Sequence, residues 1–148
     1  DNNNFQDARF GNGKHSDFNL FDDQSSVIKN LKKDLISIMS KVVKSDVYIK
    51  ESFFNILRSG SGVTPHKHTN AFDKTSGLIN QKYSLTYYVS IGDQNCSEPG
   101  ILKLHNPEEE ILPSEGTIVI FEASRIHSAT YSGNKDRVMF GVNFYSII

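Results

Sequence analysis

The 148-residue sequence has a single cysteine, almost no net charge, and no apolar run approaching the length of a bilayer. Cys96 alone excludes an internal disulfide and favours a reducing compartment. It lies between Gln94 and Pro99 and reads as an ordinary loop residue. The lack of a long apolar run excludes a transmembrane helix. A formal charge of −1 leaves no broad basic field, so nucleic acid is not an expected partner. There is no internal repeat and no sign of a second domain. A chain of this length builds one domain with a real core. Hydrophobic residues at 37% and charged residues at 22% exclude collagen-like, coiled-coil and wholly disordered classes. The chain starts at Asp1 rather than Met, as a trimmed product does.

Three stretches differ in character. Residues 1–24, rich in Asn, Asp, Gly and Phe, read as an arm with a short strand around Asp17–Phe21. Residues 25–44 read as a helix, because Val27, Leu31, Leu35, Ile38 and Val42 recur at spacings of three and four. Asp22, Asp23 or Ser25 is the expected cap, and the interspersed lysines form a solvated face. Residues 46–148 are β in character. Val47–Arg58, 63–68, Tyr83–Ile91, Ile101–Leu104, Thr117–Glu122 and Arg137–Tyr145 are strand candidates, divided by Gly, Asn and Pro turns. The fold class is therefore mainly β (α+β), a sandwich or barrel with the helix packed on one sheet. The polar stretch Thr69–Lys82 reads as a loop and a candidate lid.

Chemistry concentrates in the histidines. His66 and His68 stand two apart in Pro65-His66-Lys67-His68, a spacing that in a strand puts both rings on one face. Imidazoles so placed suit Fe, Zn, Cu or Ni, but a pair needs a third ligand from elsewhere. His127 follows the apolar run Thr117–Glu122, and Arg137 comes ten residues later. His105 reads as rim or surface, and His15, in the polar arm, as non-catalytic.

The order of these pieces resembles the Fe(II)- and 2-oxoglutarate-dependent oxygenases, from about Ser52 to Ile147. It is most similar to a prolyl-hydroxylase-related branch with bacterial and phage members. The resemblance rests on Phe54-Asn55-Ile56, Gly60, His66-Lys67-His68, Tyr87-Tyr88-Val89, Pro113-Ser114-Glu115-Gly116, His127, Arg137 and Asn143. It implies a double-stranded β-helix (jelly-roll) core, Fe(II) held by His66, His68 and His127, and 2-oxoglutarate decarboxylated to succinate. It implies that Arg137 grips the distal carboxylate, a task suited to a planar guanidinium, with Tyr88 and Asn55 also at the cofactor. The implied substrate is a peptide side chain or small molecule, and the implied location is the cytoplasm of a bacterial or phage-infected cell. Oligomeric state is not legible.

The sequence departs from the family in two places. His68 stands where the larger family has a carboxylate, so the third ligand is His68, or Asp73 swings in from the following loop, or the site is degenerate. Met139 occupies the position where relatives often carry a serine that helps bind 2-oxoglutarate, and tyrosine hydroxyls of Tyr83, Tyr87 or Tyr88 are candidate substitutes. Two other classes compete. One is a cupin-type metal dioxygenase without 2-oxoglutarate, which has no use for Arg137. The other is a non-catalytic jelly-roll binding module.

Overall fold

The computed structural model describes residues 13–147. Nine strands form two antiparallel sheets among these residues. The first elements are β1 (Lys14–His15), a 3-10 turn at Leu20–Asp22, α1 (Ser26–Val43) and β2 (Asp46–Leu57). Then come β3 (Ser61–His66), α2 (Ala71–Thr75), a 3-10 turn at Leu78–Asn80 and β4 (Lys82–Ser90). The chain ends with β5 (Leu102–Leu104), β6 (Glu109–Ile111), β7 (Ile118–Glu122), β8 (His127–Tyr131) and β9 (Arg137–Ile147). One sheet has the order β1-β2-β9-β4-β7 and the other β3-β8-β5-β6. This is the expected jelly roll with a helix on one sheet.

The helix begins and ends where its residues dictate. Ser25 is the N-cap, its hydroxyl accepting from the Ile28 N–H at 3.4 Å, and Lys44 closes the helix in a left-handed conformation. The buried stripe is rotated from the expected one. Leu35 and Met39 are buried with Ile28, Leu31, Ile36 and Val43 packed around them, whereas Val27 and Val42 are 73% and 56% exposed. The apolar set is wider than one face, and the register that puts Met39 on the sheet wins. Leu35→Ala is expected to cost about 2–5 kcal/mol. Val27→Ala should stay within about 0.5 kcal/mol. Urea unfolding of both variants checks the register.

The arm also differs. The strand expected around Asp17–Phe21 lies earlier, at Lys14–His15, paired with Ile56 and Asn55. Between Asp17 and Phe21 there is only an isolated bridge from Asn19 to Ser52, followed by the 3-10 turn. The arm completes the sheet edge, held by Ser16 N–H to Phe54 O and Phe54 N–H to Ser16 Oγ, each 3.0 Å.

Side-chain alternation gives the five-stranded sheet two chemically distinct faces. Tyr83, Tyr87, Val142 and Phe144 pack with α1, together with Val47 and Ile49 of β2. The register between β2 and β9 shifts between Ile49, opposite Phe144, and Glu51, opposite Asn143. Lys50 is the extra residue, and the bulge reverses the parity of β2. Beyond it, Glu51, Phe53, Asn55 and Leu57 line the cavity between the sheets. Cross-strand rows follow on that inner face: Asn55–Met139–Tyr88, Phe53–Gly141–Thr86 and Glu51–Asn143–Ser84. Gly141 is required in its row, because a Cβ there would fall 2.3 Å from the Phe53 ring.

Candidate metal and cofactor site

Two neighbouring strands of the smaller sheet bring the first two histidines together. His66 ends β3 and is paired with His127, the first residue of β8. Their rings lie 4.2 Å apart, centroid to centroid. His68 falls beyond the end of β3, so simple alternation within a strand does not place it. Its N–H donates to Ala123 O at 2.8 Å, which turns the chain back toward the site. Lys67 is exposed, as expected. The outcome is a cluster in which one ligand atom from each of His66, His68 and His127 lies within 4.8 Å of the others. One ion can bridge atoms so spaced, and three protein ligands leave further coordination positions free.

The hydrogen bonds orient the rings. His66 Nδ1 lies 2.7 Å from Thr64 O and His127 Nδ1 lies 3.2 Å from Arg125 O. Each Nδ1 therefore carries the proton in the neutral ring, and each Nε2 is unprotonated. Burial, reinforced by the nearby His66, lowers the His127 pKa to about 4. The ring is thus neutral at physiological pH, the form that binds metals.

Arg137 is 1% exposed at the start of β9. Its guanidinium lies over the Tyr88 ring at 4.9 Å and the Tyr131 ring at 5.9 Å. Nη1 donates to Pro99 O at 3.2 Å and Gly100 O at 2.6 Å. Burial works against the charge and lowers its pKa, while the two tyrosines oppose the shift. Gly100, at φ +81°, makes room for the group; a Cβ there would meet Nη1 at 1.3 Å. No described carboxylate forms an ion pair with Arg137.

Three buried polar atoms lack a hydrogen-bond partner among the described residues: Arg137 Nε, Thr86 Oγ1 and Asn55 Oδ1. All three residues line one cavity of about 250 Å³, together with Tyr88, Met139 and the three histidines. Such atoms are costly to leave unpaired, and their convergence marks a place for a polar ligand. A guanidinium Nε–H and a threonine hydroxyl both suit a carboxylate. Burial raises the Tyr88 phenol above its ordinary pKa, so it remains a donor; Thr86 and Arg137 moderate the rise. Tyr88 points into the cavity, and Tyr83 and Tyr87 point to the helix. Thr86 was not singled out by its sequence pattern, though it shares the inner face with Tyr88 by strand alternation.

The remaining acidic and basic candidates have other places. Asp73 is fully buried away from the histidine cluster, bound by Lys82 Nζ at 3.0 Å and the Tyr145 hydroxyl at 2.5 Å. It also accepts from Asn70 N–H at 2.8 Å in a capping box that starts α2. The segment expected to be a loop and candidate lid thus holds a short helix, Ala71–Thr75, and a 3-10 turn, Leu78–Asn80, pinned to the sheet through Asp73. His105 is at the rim, bound to Glu108 and Ser128. His15, in the arm, is 4% exposed, stacks on Phe53 at 4.7 Å, and lines the cavity.

No family model matches the chain, and no curated protein matches it either. Solved structures do. A prolyl hydroxylase from Trichoplax adhaerens, in complex with a hypoxia inducible factor oxygen degradation domain peptide fragment, matches with a TM-score of 0.71 at 14% identity, over 95% of this chain and 66% of that one. The fold is that of the 2-oxoglutarate–Fe(II) oxygenases. HygX from Streptomyces hygroscopicus, with nickel and 2-oxoglutarate bound, matches with a TM-score of 0.70 at 11% identity, over 97% and 73% of the two chains. A predicted oxalate decarboxylase from Thermotoga maritima gives a lower TM-score, 0.52, at 14% identity, over 97% and 92%. The oxygenase fold therefore describes the chain better than that structure does.

Proposed function

We propose that this chain is an Fe(II)- and 2-oxoglutarate-dependent oxygenase that hydroxylates a peptide side chain or a small molecule in the cytoplasm. One observation carries the reading: the histidine cluster and the unpaired Nε of Arg137 line the same cavity. His66, His68 and His127 hold the metal. Arg137 takes the distal carboxylate of 2-oxoglutarate, and Thr86, Tyr88 and Asn55 supply the neighbouring polar contacts. Met139 removes the serine hydroxyl usual in the family, and Thr86 Oγ1 and the Tyr88 phenol offer hydroxyls across the same face. When bound, the metal and keto acid supply oxidation of an unactivated C–H bond with release of succinate and CO₂. The protein binds and orients these groups. The apolar wall of Phe53, Leu57, Val63, Leu102 and Phe121 limits water around them.

The test is an anaerobic titration of the metal-free protein with Fe(II), then 2-oxoglutarate, followed by visible absorption. A weak charge-transfer band requiring both components is expected. No band, with no change in thermal stability on adding either component, would sink the proposal.

A further inference from the structure

Glu51 is the one acidic residue lining the cavity among the described residues. The bulge at Lys50 turns it inward, beside Asn143 on β9. Asn143 Nδ2 donates to Glu51 Oε2 at 2.8 Å and lies 3.3 Å from His68 Nδ1; Asn143 Oδ1 accepts from Ser84 Oγ at 2.8 Å. The amide is thereby fixed between a carboxylate and a histidine of the cluster. No described Lys or Arg pairs with Glu51, and the cavity's lysine, Lys82, is neutralised by Asp73.

We propose that Glu51 is the carboxylate this centre lacks among its ligands, placed one residue further out. There its charge offsets the metal's from across Asn143. The inference rests on reading the histidine cluster as a metal site. Three neutral imidazoles leave a divalent ion's charge wholly uncompensated by the protein. With a dianionic keto acid and the Arg137 guanidinium present, one positive charge is left over. Glu51 supplies one negative charge.

The Asn143 amide between Glu51 and His68 donates to both neighbours. With Asn143 donating to Nδ1, neutral His68 carries its proton on Nε2, which lies 3.2 Å from His127 Nε2. A metal at Nε2 requires that proton on Nδ1, on the side where Asn143 and Glu51 lie. The Asn143 amide N–H groups offer that proton no acceptor, so Glu51 acts on the centre through its charge and not through this hydrogen bond.

Isothermal titration of the metal-free full chain with Mn(II), and with Co(II) while recording its visible spectrum, tests this without 2-oxoglutarate or turnover. Glu51→Gln keeps shape and an acceptor for Asn143 but removes the charge. Its affinity for either ion should fall about 10–100-fold, with an unchanged unfolding midpoint of the metal-free protein. Adding Asn143→Asp to Glu51→Gln returns a carboxylate, now next to His68 Nδ1, and should recover most of the affinity. A merely structural role predicts no such recovery. Equal metal binding by wild type and Glu51→Gln, or no recovery in the double variant, overturns the inference alone. No metal binding by the wild type overturns the metal reading and this inference with it.

Discussion

Arg137→Ala should abolish the stabilisation that 2-oxoglutarate gives the metal-loaded protein, while metal affinity stays within a few-fold of wild type. Removing one partner of a buried charge pair costs about 2–5 kcal/mol. At about 1.4 kcal/mol per tenfold, that is a loss of tens- to thousands-fold in affinity. Among the described residues Arg137 Nη1 donates to two carbonyl oxygens, Pro99 O and Gly100 O, and Nε has no acceptor. No described carboxylate pairs with Arg137, so its loss should hurt the apo fold less than the ligand complex. Arg137→Lys should also bind poorly, because an ammonium lacks the planar fork. Unfolding midpoints with Mn(II), with and without 2-oxoglutarate, make the comparison. A midpoint shift that survives in Arg137→Ala would remove the residue from the cofactor site.

The second large effect lies just after the His66–His68 segment and concerns folding. Asp73→Ala should destabilise the protein by about 3–5 kcal/mol, because it leaves the Lys82 ammonium buried and unpaired. Lys82 is 3% exposed and Asp73 fully buried, so solvent cannot take over. Burial alone would raise the Asp73 pKa. The Tyr145 hydroxyl, the Asn70 N–H and Lys82 outweigh it, and the carboxyl is held below its ordinary value. A carboxyl depressed in the folded state stabilises above its unfolded pKa and loses that contribution as pH falls through the folded one. The wild type should therefore weaken on acidification below the ordinary carboxylate range, and Asp73→Ala should lose that part of the acid dependence. Urea unfolding at neutral and acid pH measures both. An Asp73→Ala chain as stable as wild type would contradict the buried-pair account.

Long regular elements were legible in the sequence. The helix over 25–44 is found at Ser26–Val43, and Val47–Arg58, Tyr83–Ile91 and Arg137–Tyr145 are found as β2, β4 and β9 within a residue or two at most ends. Their periodicity spans enough residues to outweigh local noise. The three-residue β6 offers no such signal. Neither does β8, whose His-Ser-Ala-Thr-Tyr holds too few apolar residues to show a pattern. The helix α2 was hidden because its stability comes from the Asn70–Asp73 capping box and the buried Lys82, a contact nine residues away.

The same distinction runs through the site. Order along the chain brought out His66, His68, His127, Arg137, Tyr88 and Asn55, and the fold brings all six to one cavity. The places of Glu51 and His15 depend on tertiary events. A single inserted residue, Lys50, decides which way Glu51 faces, and a two-residue strand carries His15 to the cavity wall. Asp73, weighed as an alternative ligand, is instead occupied by Lys82 and Tyr145.

The most direct test of the central claim is a crystal structure of the chain grown anaerobically with Mn(II) and 2-oxoglutarate, with the metal located by its anomalous scattering. The expected result is one Mn(II) bound by His66, His68 and His127, with the distal carboxylate of 2-oxoglutarate on Arg137 Nε and beside Thr86. Metal at another site, or keto acid bound without contact to Arg137, would contradict it.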